Sequence, residues 1–194
     1  MNLSKKGCRN MKKKGYLFLG IILVLLFFAT LYNYLGRDEG TAIGPITFQS
    51  INLEGKPVEN EIFQDYDLTM VNIWATYCIH CGKSMPEMER LYGEMQEQGV
   101  NVIGIVSDVC YPVRSMEVYE AAVKMAEDAG VSFQNVLPDK SLQTKLLNRM
   151  PAVPVTFFVD NEGNIVGEMI VGAQSKLEYK KRIQNLVETL KEGE

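Results

Sequence analysis

The sequence predicts an α/β domain, a mixed sheet flanked by helices, preceded by one N-terminal transmembrane helix. Three observations carry that reading. An uncharged apolar run fills residues 16–35 and follows a basic tail. Beyond it, short runs of strand formers alternate with segments of helical periodicity. The chain then closes on two strands joined by a turn and a last amphipathic helix, an order that fits a mixed sheet with helices on both faces.

Composition narrows the field. The chain has 194 residues, 46% hydrophobic and 23% charged, with four cysteines, one histidine and a formal charge of -4. One globular core plus an appendage fits that length. The apolar content excludes a disordered chain, and 16 Gly and 7 Pro are too few for a collagen or linker protein. A mean hydropathy near zero excludes a polytopic membrane protein. Four cysteines are too sparse for a disulfide-built mini-domain. The average charge hides a segregation: residues 1–35 hold six basic and no acidic side chains, leaving 14 basic and 24 acidic in the rest, a net -10.

Residues 1–15 read as a basic cytoplasmic tail and residues 16–35 as the anchor. The apolar run is about as long as a tilted bilayer crossing, which needs ~17–25 residues. Tyr16 stands at one end, and Tyr32 and Tyr34 at the other, where interfacial aromatics belong. The lysines precede the helix, so the positive-inside rule puts the N-terminus in the cytoplasm and residues 36–194 outside the cell membrane. A cleaved signal peptide is the competing reading, but Phe28-Ala29-Thr30 is a poor cleavage pattern and the run is long for one. No cysteine follows the run as a lipoprotein would require; Cys8 precedes it and reads as a reduced cytoplasmic thiol, with palmitoylation the alternative. Residues 36–45, polar and Gly-rich, form a short tether. The acidic domain beyond would be repelled by an anionic membrane surface.

Residues 46–194 form the extracytoplasmic domain. Ile46–Asn52 and Pro57–Val58 flank a turn at Gly55, a small hairpin. Leu68–Ala75 is apolar and reads as a buried strand. From Cys78 onward, Met85, Met88, Leu91, Tyr92 and Met95 repeat at helical spacing until Gly99. Val100–Val106 is the next strand. Ser115–Ala129 is a helix, with Val118, Ala122, Val123 and Ala126 on one face and Gly130 ending it. Val131–Leu137 reads as a strand and Asp139–Leu147 as a short helix. Val153–Val159 and Asn164–Val171 are strands joined by the turn Asp160–Gly163. The last helix opens on a capping box, Ser175-x-x-Glu178, with Leu177, Ile183, Leu186, Val187 and Leu190 as its apolar face.

The chemistry concentrates in Trp74-Ala-Thr-Tyr-Cys78-Ile-His-Cys81, which puts two cysteines at the junction of strand and helix. A cysteine there faces unsatisfied backbone N–H groups and the positive end of the helix dipole, which favour thiolate. A spacing of three lets the second thiol reach the first, so a mixed disulfide can be resolved within the molecule. Half of a zinc site has the same spacing, but zinc needs two more ligands; only Cys110 and His80 are at hand, and His80 is already bracketed by the cysteines. A purely structural disulfide gains little from so short a loop.

These residues carry a resemblance to a known family. Val71-Asn-Ile-Trp-Ala-Thr-Tyr-Cys78-Ile-His-Cys81-Gly-Lys-Ser-Met-Pro86 and Val153-Pro154-Val-Thr-Phe-Phe-Val-Asp160-Asn-Glu-Gly163 resemble the thioredoxin superfamily, in its membrane-tethered TlpA/ResA-like branch of extracytoplasmic thiol-disulfide oxidoreductases. The likeness spans about residues 46–191. It implies that Cys78 is the exposed nucleophile and Cys81 the buried resolving thiol. It implies a cis Val153–Pro154 peptide beside them, and a substrate platform of Trp74, Tyr77, Ile79, His80, Val153 and Pro154. Pro86 matches a proline that kinks the active-site helix, and Trp74 a tryptophan packed beside the disulfide. Tyr77 stands where a second tryptophan is commoner, Ser84 where an acid is often found, and Asn72 where thioredoxin has a buried aspartate. Proton transfer at Cys81 then falls to water, another carboxylate or the substrate.

His80 bears on direction. Oxidising relatives such as DsbA and protein disulfide isomerase also carry a histidine between the cysteines, and a partly cationic imidazole beside a thiolate favours the reduced pair. The motif is therefore expected to lie above thioredoxin in potential, on a scale from about -270 mV for thioredoxin to about -120 mV for DsbA. The scaffold points to a reductase of the cytochrome c maturation kind, the dipeptide toward a dithiol oxidase or isomerase; a non-catalytic thiol-dependent chaperone is the third reading. Cys110 reads as a buried hydrophobe, with a functional third thiol as the alternative. A copper chaperone would need C-x-x-x-C and a distant histidine, and a peroxidase T-x-x-C; the sequence has neither arrangement. No cofactor or metal is called for. The expected partners are exported protein disulfides or dithiols and a CcdA/DsbD-type membrane thiol transporter, with no nucleic acid, and the chain is expected to be a monomer.

Overall fold

The computed structural model describes residues 44–192 together with Val24, Leu26 and Phe27. The tail, most of the anchor and the tether fall outside the described residues. Val24, Leu26 and Phe27 are helical with exposed side chains. Among the described residues, no helix is long and apolar enough to cross a membrane. Residues 43–194 form a compact unit.

That unit opens on an antiparallel hairpin of β1 (Gln49–Ile51) and β2 (Pro57–Glu59). A five-stranded sheet follows, in the order β5-β4-β3-β6-β7. Its strands are β3 (Leu68–Trp74), β4 (Val100–Val106), β5 (Asn135–Val136), β6 (Val155–Asp160) and β7 (Ile165–Val171). β3 pairs parallel with β4 and antiparallel with β6, and β7 antiparallel with β6, so the sheet is mixed as expected. All seven residues of β3 are buried, which suits an apolar run that is covered on both faces.

Alternate residues of the central strands supply two cores. On one face, Val71, Ile73, Ile103, Ile105, Phe157 and Val159 pack under the hairpin and helix α3 (Lys140–Lys145). On the other, Leu68, Met70, Val102 and Phe158 meet α1 (Ile79–Met95) and α4 (Lys176–Glu192). Met88, Leu91 and Met95 of α1 and Tyr179 and Ile183 of α4 are each at most 2% exposed; each such side chain contributes ~1.5–3 kcal/mol of burial. Helix α2 (Met116–Asp128) adds Ala122 to a third cluster over the sheet's end, with Trp74, Val106, Cys78 and Cys81. Helices thus lie on both faces.

Most boundaries agree with the periodicity. Ser115 and Asp139 cap α2 and α3 by accepting the Val118 and Leu142 N–H groups, and Ser175 accepts that of Glu178. Three expectations need correction. The strand expected over Val131–Leu137 shrinks to Asn135–Val136, because the Glu89 carboxylate of α1 takes the Ser132 N–H and hydroxyl and Phe133 turns into the core against Tyr92. The strand expected from Val153 starts at Val155, after the cis peptide. Leu177, assigned to the apolar face of α4, sits in its first turn at 59% exposure, before the helix meets the sheet.

Candidate active site

Central strand β3 ends on Trp74, and the chain reaches α1 through only Ala75–Cys78. The turn is closed by the Cys78 N–H donating to Ala75 O at 3.0 Å. Cys78 is the helix N-cap, with extended backbone, and its Sγ accepts the Cys81 N–H at 3.1 Å. A sulfur therefore occupies the place a Ser or Asp oxygen takes in an ordinary cap, where the helix presents its free N–H groups. Cys78 and Cys81 form a disulfide with Cα atoms 5.2 Å apart.

The two sulfurs differ in access. Cys81 is fully buried, whereas Cys78 is 7% exposed. The nucleophile expected to be exposed thus reaches solvent by an edge alone, because it packs in a cluster with Ala75, Val109 and Val153. Around that edge Tyr77 and Ile79 stand 74% and 71% exposed, and His80 is exposed in the first turn. These three can meet an incoming protein. Trp74 cannot: it is fully buried and donates its indole N–H to Asn135 Oδ1 at 2.8 Å. It supports the disulfide from beneath rather than forming part of the substrate platform.

The Val153–Pro154 peptide is cis, as the resemblance implies. Pro154 is buried and its carbonyl accepts the Gly172 N–H at 2.8 Å, whereas Val153 packs half-buried against the cluster that holds both cysteines. Among the described residues, no hydrogen bond engages the Val153 backbone. Its backbone N–H and carbonyl are therefore unpaired, unlike the carbonyl of Pro154. Pro86 lies inside α1, where it removes an N–H from the ladder, and the buried Ser84 hydroxyl donates to Cys81 O at 3.0 Å.

Asn72 is 1% exposed, and its amide donates to Thr156 Oγ1 at 2.8 Å. Thr156 bonds the Tyr179 hydroxyl at 3.2 Å, which accepts the Gln174 N–H at 3.2 Å. A chain of amide and hydroxyl groups therefore occupies this position, with no carboxylate among them. Cys110 is a half-buried free thiol whose Sγ lies 3.8 Å from Gln143 Oε1. Among the described residues, no group of three or more His, Cys, Asp or Glu is placed to hold a metal ion.

Sequence reasoning missed the loop after β4. Ser107 donates its N–H and hydroxyl to Trp74 O at 2.8 and 2.9 Å. Asp108 accepts the Thr76 N–H on both carboxylate oxygens, at 3.2 and 3.0 Å, and the Thr76 hydroxyl at 2.5 Å. A second cis peptide, Tyr111–Pro112, follows in the same loop. The only sequence signal for these contacts was their place at the end of a central strand.

A thioredoxin-like sheet with a Cys-x-x-Cys disulfide at the start of a helix and a cis proline beside it defines a thiol-disulfide oxidoreductase. Comparison with known proteins agrees. Residues 44–167 match the AhpC/TSA family. The thiol-disulfide oxidoreductase ResA of Bacillus cereus is 32% identical over 182 residues, covering 89% of this chain and 99% of the relative. A solved thiol:disulfide interchange protein of the thioredoxin family from Chlorobium tepidum superposes with a TM-score of 0.61 at 20% identity, covering 74% of this chain and 94% of that one. StoA from Bacillus subtilis superposes with a TM-score of 0.55 at 17% identity, over 72% and 97%. The chain belongs to the AhpC/TSA family of thioredoxin-like proteins, among the ResA-type thiol-disulfide oxidoreductases.

Proposed function

We propose that this enzyme is anchored in the cell membrane by residues 16–35 and reduces disulfides of exported proteins, in cytochrome c maturation or a related thiol reduction. The observation that carries the mechanism is the pair itself: Cys78 caps α1 at the solvent edge while Cys81 lies buried behind it. In the reduced enzyme the Cys78 thiolate, stabilised by the N–H groups at the helix start, attacks one sulfur of a substrate disulfide. A Cys78–substrate bond forms and the other substrate sulfur leaves as thiolate, to be protonated from water. Cys81, having given its proton to water, then attacks Cys78 Sγ and releases the second substrate thiolate, which is protonated from water in turn. The substrate has gained two electrons and two protons, and the enzyme is left with the Cys78–Cys81 disulfide. Tyr77, Ile79 and His80 meet the substrate, and the free backbone of Val153 pairs with it. A membrane dithiol donor of the CcdA/DsbD type resets the pair, and the domain acts as a monomer.

The exposed His80 between the thiols supports a second reading, in which the same steps run backward and oxidise exported dithiols. Quenching growing cells with acid and alkylating free thiols separates the two. A reductase is held mostly as the dithiol at Cys78 and Cys81, and this is the expected result. A pair found mostly as disulfide, with a potential nearer about -120 mV than about -270 mV, supports the oxidase instead.

A further inference from the structure

We propose that Asp108 is a positioning residue for the reactive thiol, acting through Thr76; the inference rests on reading Cys78 as the attacking sulfur. The Asp108 carboxylate takes both donors of Thr76, its N–H at 3.0 and 3.2 Å and its hydroxyl at 2.5 Å. Its neighbour Ser107 takes Trp74 O with two donors, at 2.8 and 2.9 Å. Two consecutive residues after β4 thereby hold the residues at either side of Ala75, and the Cys78 N–H to Ala75 O bond closes the turn that follows. Thr76 is half-buried, so its N–H has limited access to water, and a bond to a carboxylate is stronger than one to a neutral acceptor.

The clamp has different weight in the two redox states. In the disulfide, a covalent bond to Cys81 already fixes Cys78. On reduction that tether is gone, and the turn alone keeps the sulfur over the Cys81 N–H, where thiolate is favoured. Asp108 thus stabilises the reduced pair by geometry, although its negative charge, two residues from Cys78 through Thr76, opposes a thiolate. These contributions have opposite signs, which makes them separable.

The test uses the full chain in detergent, equilibrated with glutathione at one fixed pH, with Cys78 alkylation followed by peptide mass spectrometry. Asp108→Ala is expected to shift the equilibrium toward the disulfide about fivefold, which is about 20 mV lower in potential, and to slow Cys78 alkylation similarly. Thr76→Val, which keeps the charge, moves both readings the same way by less. The double variant goes no further than Asp108→Ala alone. Asp108→Asn keeps an acceptor for the Thr76 N–H and removes the charge, so its potential is at or above that of the parent. A potential in Asp108→Ala that is unchanged or raised overturns the proposal, as does additivity in the double variant. If Asp108→Ala does not fold, an unchanged Thr76→Val, or a lowered Asp108→Asn, overturns it. Failure of the underlying reading looks different: the parent enzyme would then alkylate faster at Cys81 than at Cys78, whatever Asp108 does.

Discussion

Gly104, in the middle of β4, shows how a single missing side chain supports the site. A Cβ there would overlap Asn135 Oδ1 and stand 2.8 Å from Trp74 Nε1. The indole that underlies the disulfide cluster keeps its hydrogen bond only because this residue is glycine. Gly104→Ala is expected to cost about 3 kcal/mol through overpacking and a broken buried bond, and to lower Tm by roughly 10 °C in a thermal melt. At this scale, legibility followed sequence distance. Cys78, His80 and Cys81 are neighbours in one motif, and the first turn of a helix gives them their chemistry directly. Trp74 was misplaced on the substrate platform because its partner Asn135 is 61 residues away. Asp108 was missed for the same reason, since its contact with Thr76 spans 32 residues and follows only once β3 and β4 are known to be parallel neighbours.

The elements were legible wherever periodicity and a cap agreed. Helix α1 shows apolar spacing throughout, and Gly99, at φ 75°, ends its 3-10 extension as expected. Strand β5 was overestimated because Val131 and Phe133 are β-formers that pack into the core shared by α1 and the sheet instead of extending the ladder. One tertiary contact between elements makes a test. Glu94 near the end of α1 binds Lys176 and Lys180 of α4, the latter at 3.0 Å. The hydrogen bond from Lys176, followed by that from Lys180, holds the Glu94 carboxyl below its ordinary value. A carboxyl with a lowered folded-state pKa contributes stability above its unfolded pKa and loses it as pH falls through the folded one. Replacing Lys176 and Lys180 with alanine is therefore expected to lower Tm slightly near neutral pH and not at all once Glu94 is protonated. The effect is small because the clasp is at the surface. Melting curves of both proteins across the acid range check it.

At the scale of the whole molecule, charge divides the chain: six basic residues before residue 36 and an excess of acids after it. That segregation and the apolar run between are sequence features, and the membrane reading draws on them. Within the compact unit of residues 43–194 the hairpin covers the β5 edge through Leu53 N–H to Asn135 O and Leu137 N–H to Ile51 O, both 2.9 Å. In intact spheroplasts, external protease is expected to release a catalytic fragment by cutting within 36–45 while the basic tail stays protected; a protected domain would reverse the topology. Fold class was legible because alternation of elements, the motif and the proline loop all pointed to one architecture. The relation of the two cysteines was legible from their spacing and their unequal burial from the resemblance, whereas the small exposure of Cys78, 7%, follows only from the packed cluster around it. The most direct test of thiol-disulfide exchange at this pair is trapping in cells. Cys81→Ala is expected to accumulate mixed disulfides with exported proteins through Cys78, and Cys78→Ala to accumulate none. Mixed disulfides formed through Cys81 in Cys78→Ala, with none in Cys81→Ala, would contradict the assignment of Cys78 as the attacking sulfur.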